Sequence, residues 1–137
     1  MTDHDTPRAL VSAYYATVYG QRDLEALERF LAPGFASAGP GGSMDLAGHR
    51  AALAASLAAI PDFALEIEEQ VAEGSTVVTR WRATGTHAGP LFGIPATGRA
   101  VTASAIHIHH VANGLILDQW EQFDALGVLR QLGVLPG

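Results

Sequence analysis

The hydrophobic period of this chain changes near residue 61, and that change restricts the folds open to it. Before this point Leu10, Val11, Tyr14, Tyr15 and Val18 recur at helical spacing, as do Leu24, Leu27, Phe30 and Leu31. After it, Phe63, Leu65 and Ile67 alternate with Ala64, Glu66 and Glu68. Val77, Thr79 and Trp81 alternate with Val78, Arg80 and Arg82 in the same way. Helices first and strands second predict an α+β fold, with the helices gathered on one side of an antiparallel sheet.

Local signals set the boundaries. Thr6-Pro7 is a helix start, with Thr as N-cap and Pro in the first turn, and Gly20 is a stop. A second helix begins after Asp23 and is broken by Pro33-Gly34. Residues 35–48 are too rich in Gly and Ser for regular structure beyond a short strand near Phe35. A third helix runs from about His49 to Ala59, with Leu53, Leu57 and Ile60 on one side, and Pro61 ends it. Four strands follow, the last two at 99–111 and 115–123, and Asp124 caps a short final helix. Arg80 and Arg82 are placed to pair across strands with Glu66 and Glu68. A strongly curved sheet with three helices over its concave face would enclose a pocket.

Composition narrows the function classes. The 137 residues, 48% hydrophobic and 16% charged, predict one folded domain over 1–137. A net charge of −6 argues against nonspecific nucleic-acid binding, because no basic patch is available for phosphates. With no Cys, thiolate chemistry and cysteine metal sites are excluded, and a reducing cytoplasm is the expected location. The N-terminus lacks a secretory pattern, and the longest apolar run, residues 51–60, is too short to cross a membrane.

The densest chemistry lies in AIHIHHVANGLILDQWEQFD, residues 105–124. A His-x-His on a strand can begin a metal site, with His107, His109 and a carboxylate as a facial triad. That architecture expects a β-sandwich, a Glu shortly after the pair and a later His. Here position 113 is Asn, no His follows His110, and the first 60 residues read as helical. The expectation is no metal and no cofactor.

GPLFGIPATGRAV, the His-bearing strand and ANGLILDQWEQFDALGVLRQLG together resemble the SnoaL-like polyketide cyclases of the cone-shaped nuclear-transport-factor-2-like superfamily. The resemblance spans essentially the whole chain. It implies cofactor-free intramolecular aldol closure of an aromatic polyketide ester, with a carboxylate on the last strand as base. Matched residue by residue, that carboxylate falls on Glu121 and a pocket histidine on His107. Three positions depart from the family pattern: the base is Glu instead of Asp, Gln119 replaces a second histidine, and Ala105 replaces a polar residue.

Whether Glu121 faces inward depends on the hairpin turn, because one residue of slip exchanges the two faces. A two-residue Asn113-Gly114 turn would set His107 opposite Trp120. A three-residue Ala112-Asn113-Gly114 loop would set His107 opposite Gln119 and Ala105 opposite Glu121. The resemblance favours the longer loop, as does the burial of Val101 and Ala103 beside Phe123. In that arrangement Glu121 enters an apolar pocket with Trp81, Phe123, Leu65 and Tyr15, where desolvation would raise its pKa. His107 and Gln119 would hold the substrate oxygen. His87 and the loop carrying Phe92 and Ile94 either cover the mouth or form an ordinary connection. The outer face, with Ile106, Ile108 and Trp120, predicts a homodimer. Two functions stay open: a cyclase-type enzyme acting on an apolar or aromatic carbonyl compound, and a noncatalytic protein that binds one.

Overall fold

The computed structural model describes residues 5–135. Helix α1 spans Pro7–Tyr14, and the Thr6 side chain accepts the Ala9 N–H at its start. The helix continues through Tyr15–Gly20 as a wider turn, closed by Gln21 N–H to Ala16 carbonyl at 3.0 Å. This widening keeps Tyr14, Tyr15, Val18 and Tyr19 all buried against the sheet. A single 3₁₀ turn, Leu24–Ala26, leads into a short α2, Leu27–Phe30.

Two strands then occupy the stretch in which only a short strand near Phe35 is expected. β1 spans Leu31–Gly39 and β2 spans Gly42–Asp45, so the second helix ends before Pro33-Gly34. The proline and glycine sit where the pairing of β1 is interrupted, between Leu31 and Ala36, a position that tolerates both. α3, Leu46–Ala59, starts three residues earlier than expected because Asp45 caps it, accepting the Gly48 N–H at 2.9 Å.

β3 (Ala64–Glu73), β4 (Thr76–Thr86), β5 (Ala100–Ala112) and β6 (Leu115–Phe123) complete a six-stranded sheet, and α4 (Ala125–Gln131) closes the described chain. The strand order is β2-β1-β6-β5-β4-β3, antiparallel except for the β1–β6 pair. The sheet is curved and the fold is α+β. Arg80 pairs with Glu68 and Glu69, and Arg82 with Glu66 and Glu68, on the exposed side of β3 and β4. Asp124 accepts the Gly127 N–H and caps α4 as expected.

The inner face carries two apolar clusters. The larger packs Leu10, Val11, Leu27, Phe30 and Phe35 against Val77, Trp81 and Ile116. The smaller, at the other end, joins Ala59 and Ile60 to Val101, Val128 and Leu132. A side chain in place of Gly85 would put its Cβ 2.1 Å from Ile60, so glycine is required where β4 passes under the end of α3.

The β5–β6 hairpin follows neither expected register. Ala112 pairs with Leu115, so the turn is the two-residue Asn113-Gly114, with φ of 52° and 75°. Beyond it, Val111 pairs with Ile116 but His110 pairs with Asp118, leaving Leu117 as an extra residue on β6. The bulge turns Ile116 into the core and Leu117 outward, and sets His107 opposite Glu121 and His109 opposite Gln119. The inner set is therefore the one expected from the longer loop, reached by a tight turn plus a bulge.

Candidate functional site

Between α3 and the inner face of the sheet lies a cavity of about 240 Å³. β6 presents Gln119, Glu121 and Phe123 to it, β4 presents Trp81, and α3 presents His49, Ala52, Leu53 and Ser56 on one face. Tyr19, Ser37 and Met44 line it from the N-terminal half, and Leu91 and Phe92 stand at the edge. No Lys or Arg is among the lining residues.

Among the described residues that line the cavity, Glu121 is the single carboxylate. Its Oε2 lies 2.7 Å from His107 Nε2, across one rung of the β5–β6 ladder. Burial pushes the Glu121 pKa up, but the hydrogen bond from His107 and the electrostatic influence of the His107 and His49 rings outweigh it. The net shift is downward. This reverses the expected rise: desolvation alone would raise the value, but the carboxylate also has a hydrogen-bonding partner. Glu121 is accordingly an ionised carboxylate at neutral pH.

His107 stands behind that carboxylate, wholly buried and outside the cavity wall. Its Nδ1 is 2.6 Å from the Tyr15 hydroxyl and 3.4 Å from the indole N–H of Trp81, which can only donate. Nδ1 is therefore an acceptor, and the ring proton sits on Nε2, donating to Glu121. Both ring nitrogens are engaged within the protein, so this ring orients the Glu121 carboxylate and has no donor left for a substrate oxygen.

A second relay lies one rung along. His109 Nε2 donates to Gln119 Oε1 at 2.9 Å, and Gln119 Nε2 donates to Ser37 Oγ at 3.0 Å. His109 Nδ1 is buried without a hydrogen-bond partner among the described residues. Burial, aided by the neighbouring His107, lowers the His109 pKa to about 3, which keeps this ring neutral. His110 points outward and meets Asp118 at 2.6 Å on the exposed face.

Gln119, Trp81, Phe123 and Phe92 thus lie on the cavity wall. Tyr15, Leu65 and Ile94 do not. Tyr15 gives its hydroxyl to His107, Leu65 packs against the larger core, and Ile94 packs against the smaller one. His87 does not cover the mouth either. It is fully buried, its Nδ1 takes the Thr97 N–H at 3.2 Å, and it anchors the loop base. Leu91 and Ile94 form a miniature two-residue hairpin, and its tip carries Phe92 and Gly93 at φ of 52° and 73°.

Sequence reasoning missed His49, whose Nε2 lies 2.9 Å from the Tyr14 hydroxyl. Its signal was the spacing His49, Leu53, Ser56 and Ile60, which continues the buried face of α3 across a polar residue. Ser37 and Met44 were hidden because the first of their strands is legible only as a short piece near Phe35 and the second not at all. Among the described residues no three His, Asp or Glu side chains are grouped to hold a metal ion. Nor is any described helix long and apolar enough to cross a membrane.

A helix-covered curved sheet thus encloses an ionised carboxylate in a mainly apolar cavity. A profile of the SnoaL-like polyketide cyclases matches residues 9–132, and the chain belongs to that family. Aklanonic acid methyl ester cyclase DnrD of Streptomyces peucetius is 39% identical over 69 residues, 50% of this chain and 48% of DnrD. The chain thus aligns with about half the length of that relative. Among solved structures, TsrD of Streptomyces laurentii is 32% identical, with a TM-score of 0.83 over 93% of this chain and 95% of its own. IdmH of Streptomyces antibioticus is 28% identical, with a TM-score of 0.81 over 94% and 99%.

Proposed function

We propose that the chain is a cofactor-independent enzyme of the cyclase kind, with Glu121 as a general base on a carbon alpha to a carbonyl. The observation that carries this reading is an ionised carboxylate, held from behind by His107, in a cavity otherwise lined mainly by apolar side chains. Glu121 takes the proton, and the C–H electron pair becomes the enolate. The enolate carbon attacks a second carbonyl of the same molecule, a C–C bond forms, and the alkoxide recovers the proton from Glu121. When an apolar substrate displaces water from the carboxylate, burial dominates its environment and its basicity rises.

The cavity also describes the substrate. At about 240 Å³ it exceeds the ~150 Å³ that accommodates benzene and falls short of the ~300 Å³ at which drug-sized pockets begin. Without a cation on the wall, a charged carboxylate beside Glu121 would be repelled. A neutral ketone or ester with one or two rings inside the cavity fits both conditions.

2-Tetralone is a neutral two-ring ketone suited to the test. The wild type should exchange its alpha protons with D₂O, read by mass spectrometry, and Glu121→Gln should slow exchange by about 10² to 10⁴-fold with an unchanged melting curve. Undiminished exchange in that variant would remove Glu121 as the base. One observation favours the alternative of a noncatalytic binder: the Gln119 amide is already engaged by His109 and Ser37. A binder would be stabilised by 2-tetralone without exchanging its protons.

A second copy of the chain is the proposed occupant of the outer sheet face, where Ile106 and Trp120 are both more than 40% exposed. Sedimentation of a dimer by the wild type and a monomer by Trp120→Glu supports it; a wild-type monomer refutes it.

A further inference from the structure

We propose that His49 is a second catalytic residue, whose Nδ1–H hydrogen-bonds the substrate oxygen on which charge collects while Tyr14 holds Nε2. This rests on the reading of Glu121 as the base and adds the group that receives the enolate. Proton abstraction alpha to a carbonyl needs a donor at the carbonyl oxygen, and most polar groups of the cavity are already committed. Gln119 is held by His109 and Ser37, the Trp81 indole is turned toward His107, and Glu121 can only accept.

His49 is placed differently. It sits on α3, the wall facing the β6 strand of Glu121, and the two are near enough to perturb each other electrostatically. Its Nε2 is fixed by Tyr14 at 2.9 Å, and its ring lies against Phe35 with centroids 5.0 Å apart. Nδ1 has no hydrogen bond to the described residues and is not an enclosed orphan atom. Burial, with the electrostatic influence of His107 beside it, lowers the His49 pKa to about 4. The ring is therefore neutral at pH 7, with one N–H to give. When Tyr14 donates to Nε2, that N–H is on Nδ1. A ring fixed at one end and facing the cavity at the other is a preorganised donor, which a freely rotating Ser37 or Ser56 hydroxyl is not.

The bookkeeping is that of the aldol closure. Glu121 carries the proton, His49 exchanges none, and its hydrogen bond shortens as the oxygen gains charge. No oxidant or reductant enters.

Two substitutions separate this role from a structural one. In His49→Asn the amide N–H occupies the place of Nδ1–H, whereas in His49→Gln it reaches the place of Nε2 beside Tyr14. Catalysis predicts that Asn retains more 2-tetralone exchange than Gln, and that His49→Leu lowers kcat by about 10² to 10³-fold with KM nearly unchanged. The reverse order, or a His49→Leu variant within threefold of wild type while Glu121→Gln is dead, overturns the proposal and leaves Glu121 standing. A binding measurement covers the case in which the exchange reaction itself fails. In protein labelled with ¹⁵N-histidine, bound 2-naphthol, whose oxygen mimics an enol, should fix His49 with its proton on Nδ1 and shift that signal. An unmoved His49 resonance, or no binding at millimolar 2-naphthol, overturns the proposal.

Discussion

His107 and Glu121 face each other across one β5–β6 rung, with Nε2 2.7 Å from Oε2, the ring sealed and the carboxylate open to the cavity. This asymmetry separates two roles that sequence comparison runs together. The enclosed member sets the basicity of the exposed one.

Removing His107 should therefore raise the Glu121 pKa. With His107→Phe, burial becomes the dominant influence on the carboxylate. In the wild type, kcat/KM should fall only at pH values below the ordinary carboxylate range, since Glu121 must be ionised to act. In the variant the acidic limb should move to higher pH, and a pH–rate profile of 2-tetralone exchange reads the displacement. Coincident limbs would show that His107 does not control the base.

Acid should unfold the protein through its buried histidines. His49 and His109 are held to about 4 and about 3 against an unfolded value of 6.5. Between those limits the unfolded chain binds more protons than the native one, so stability is complete above about pH 6.5 and declines as pH falls toward 3 to 4. Denaturant melts across pH 7.5 to 4 check the slope. His109→Gln should flatten it, even if it lowers stability at pH 7.5.

Gly39 should tolerate no side chain. A Cβ there would lie 2.6 Å from the backbone carbonyl oxygen of Glu121, on the parallel seam between β1 and β6. Gly39→Ala must push β6 aside, at a cost of about 1 to 3 kcal/mol, and carry the Glu121 backbone with it. Loss of exchange activity disproportionate to the fall in melting temperature is expected; an unaltered rate would show that the seam can yield.

Phe92 is a bulky side chain held at a φ of 52°, a left-handed conformation that asparagine and glycine adopt more readily. Its ring still approaches Phe123, at 6.3 Å between centroids, on the cavity wall. Phe92→Asn should hold or raise the melting temperature and raise KM, a trade of local strain for substrate contact. A lower melting temperature with unchanged KM would assign Phe92 to packing alone.

Much of this was legible in sequence. The change of period gave helices before strands, Thr6 and Asp124 marked true caps, and the arginine–glutamate ladder across β3 and β4 followed from alternation. β1 was legible only as a short strand near Phe35 and β2 not at all, because Pro33, Gly34 and the glycines at 39, 41 and 42 mask strand alternation, while parallel pairing to β6 has no local signature. The hairpin shows a different limit. The three-residue Ala112-Asn113-Gly114 loop favoured from sequence is a two-residue Asn113-Gly114 turn, and the extra residue at Leu117, which restores the same inner face, has no local signature. The Glu121 environment was misjudged for a similar reason: which histidine stands behind a carboxylate depends on register.

Leu117 also gives this hairpin one residue of slack. Val111 already pairs with Ile116 and His110 with Asp118, so a one-codon deletion of Leu117 would close the bulge and leave the rungs from His110 to Ala105 as they are. Glu121 and Gln119 would stay inside. The strand should consequently accept the loss of a residue at this one point without exchanging its faces.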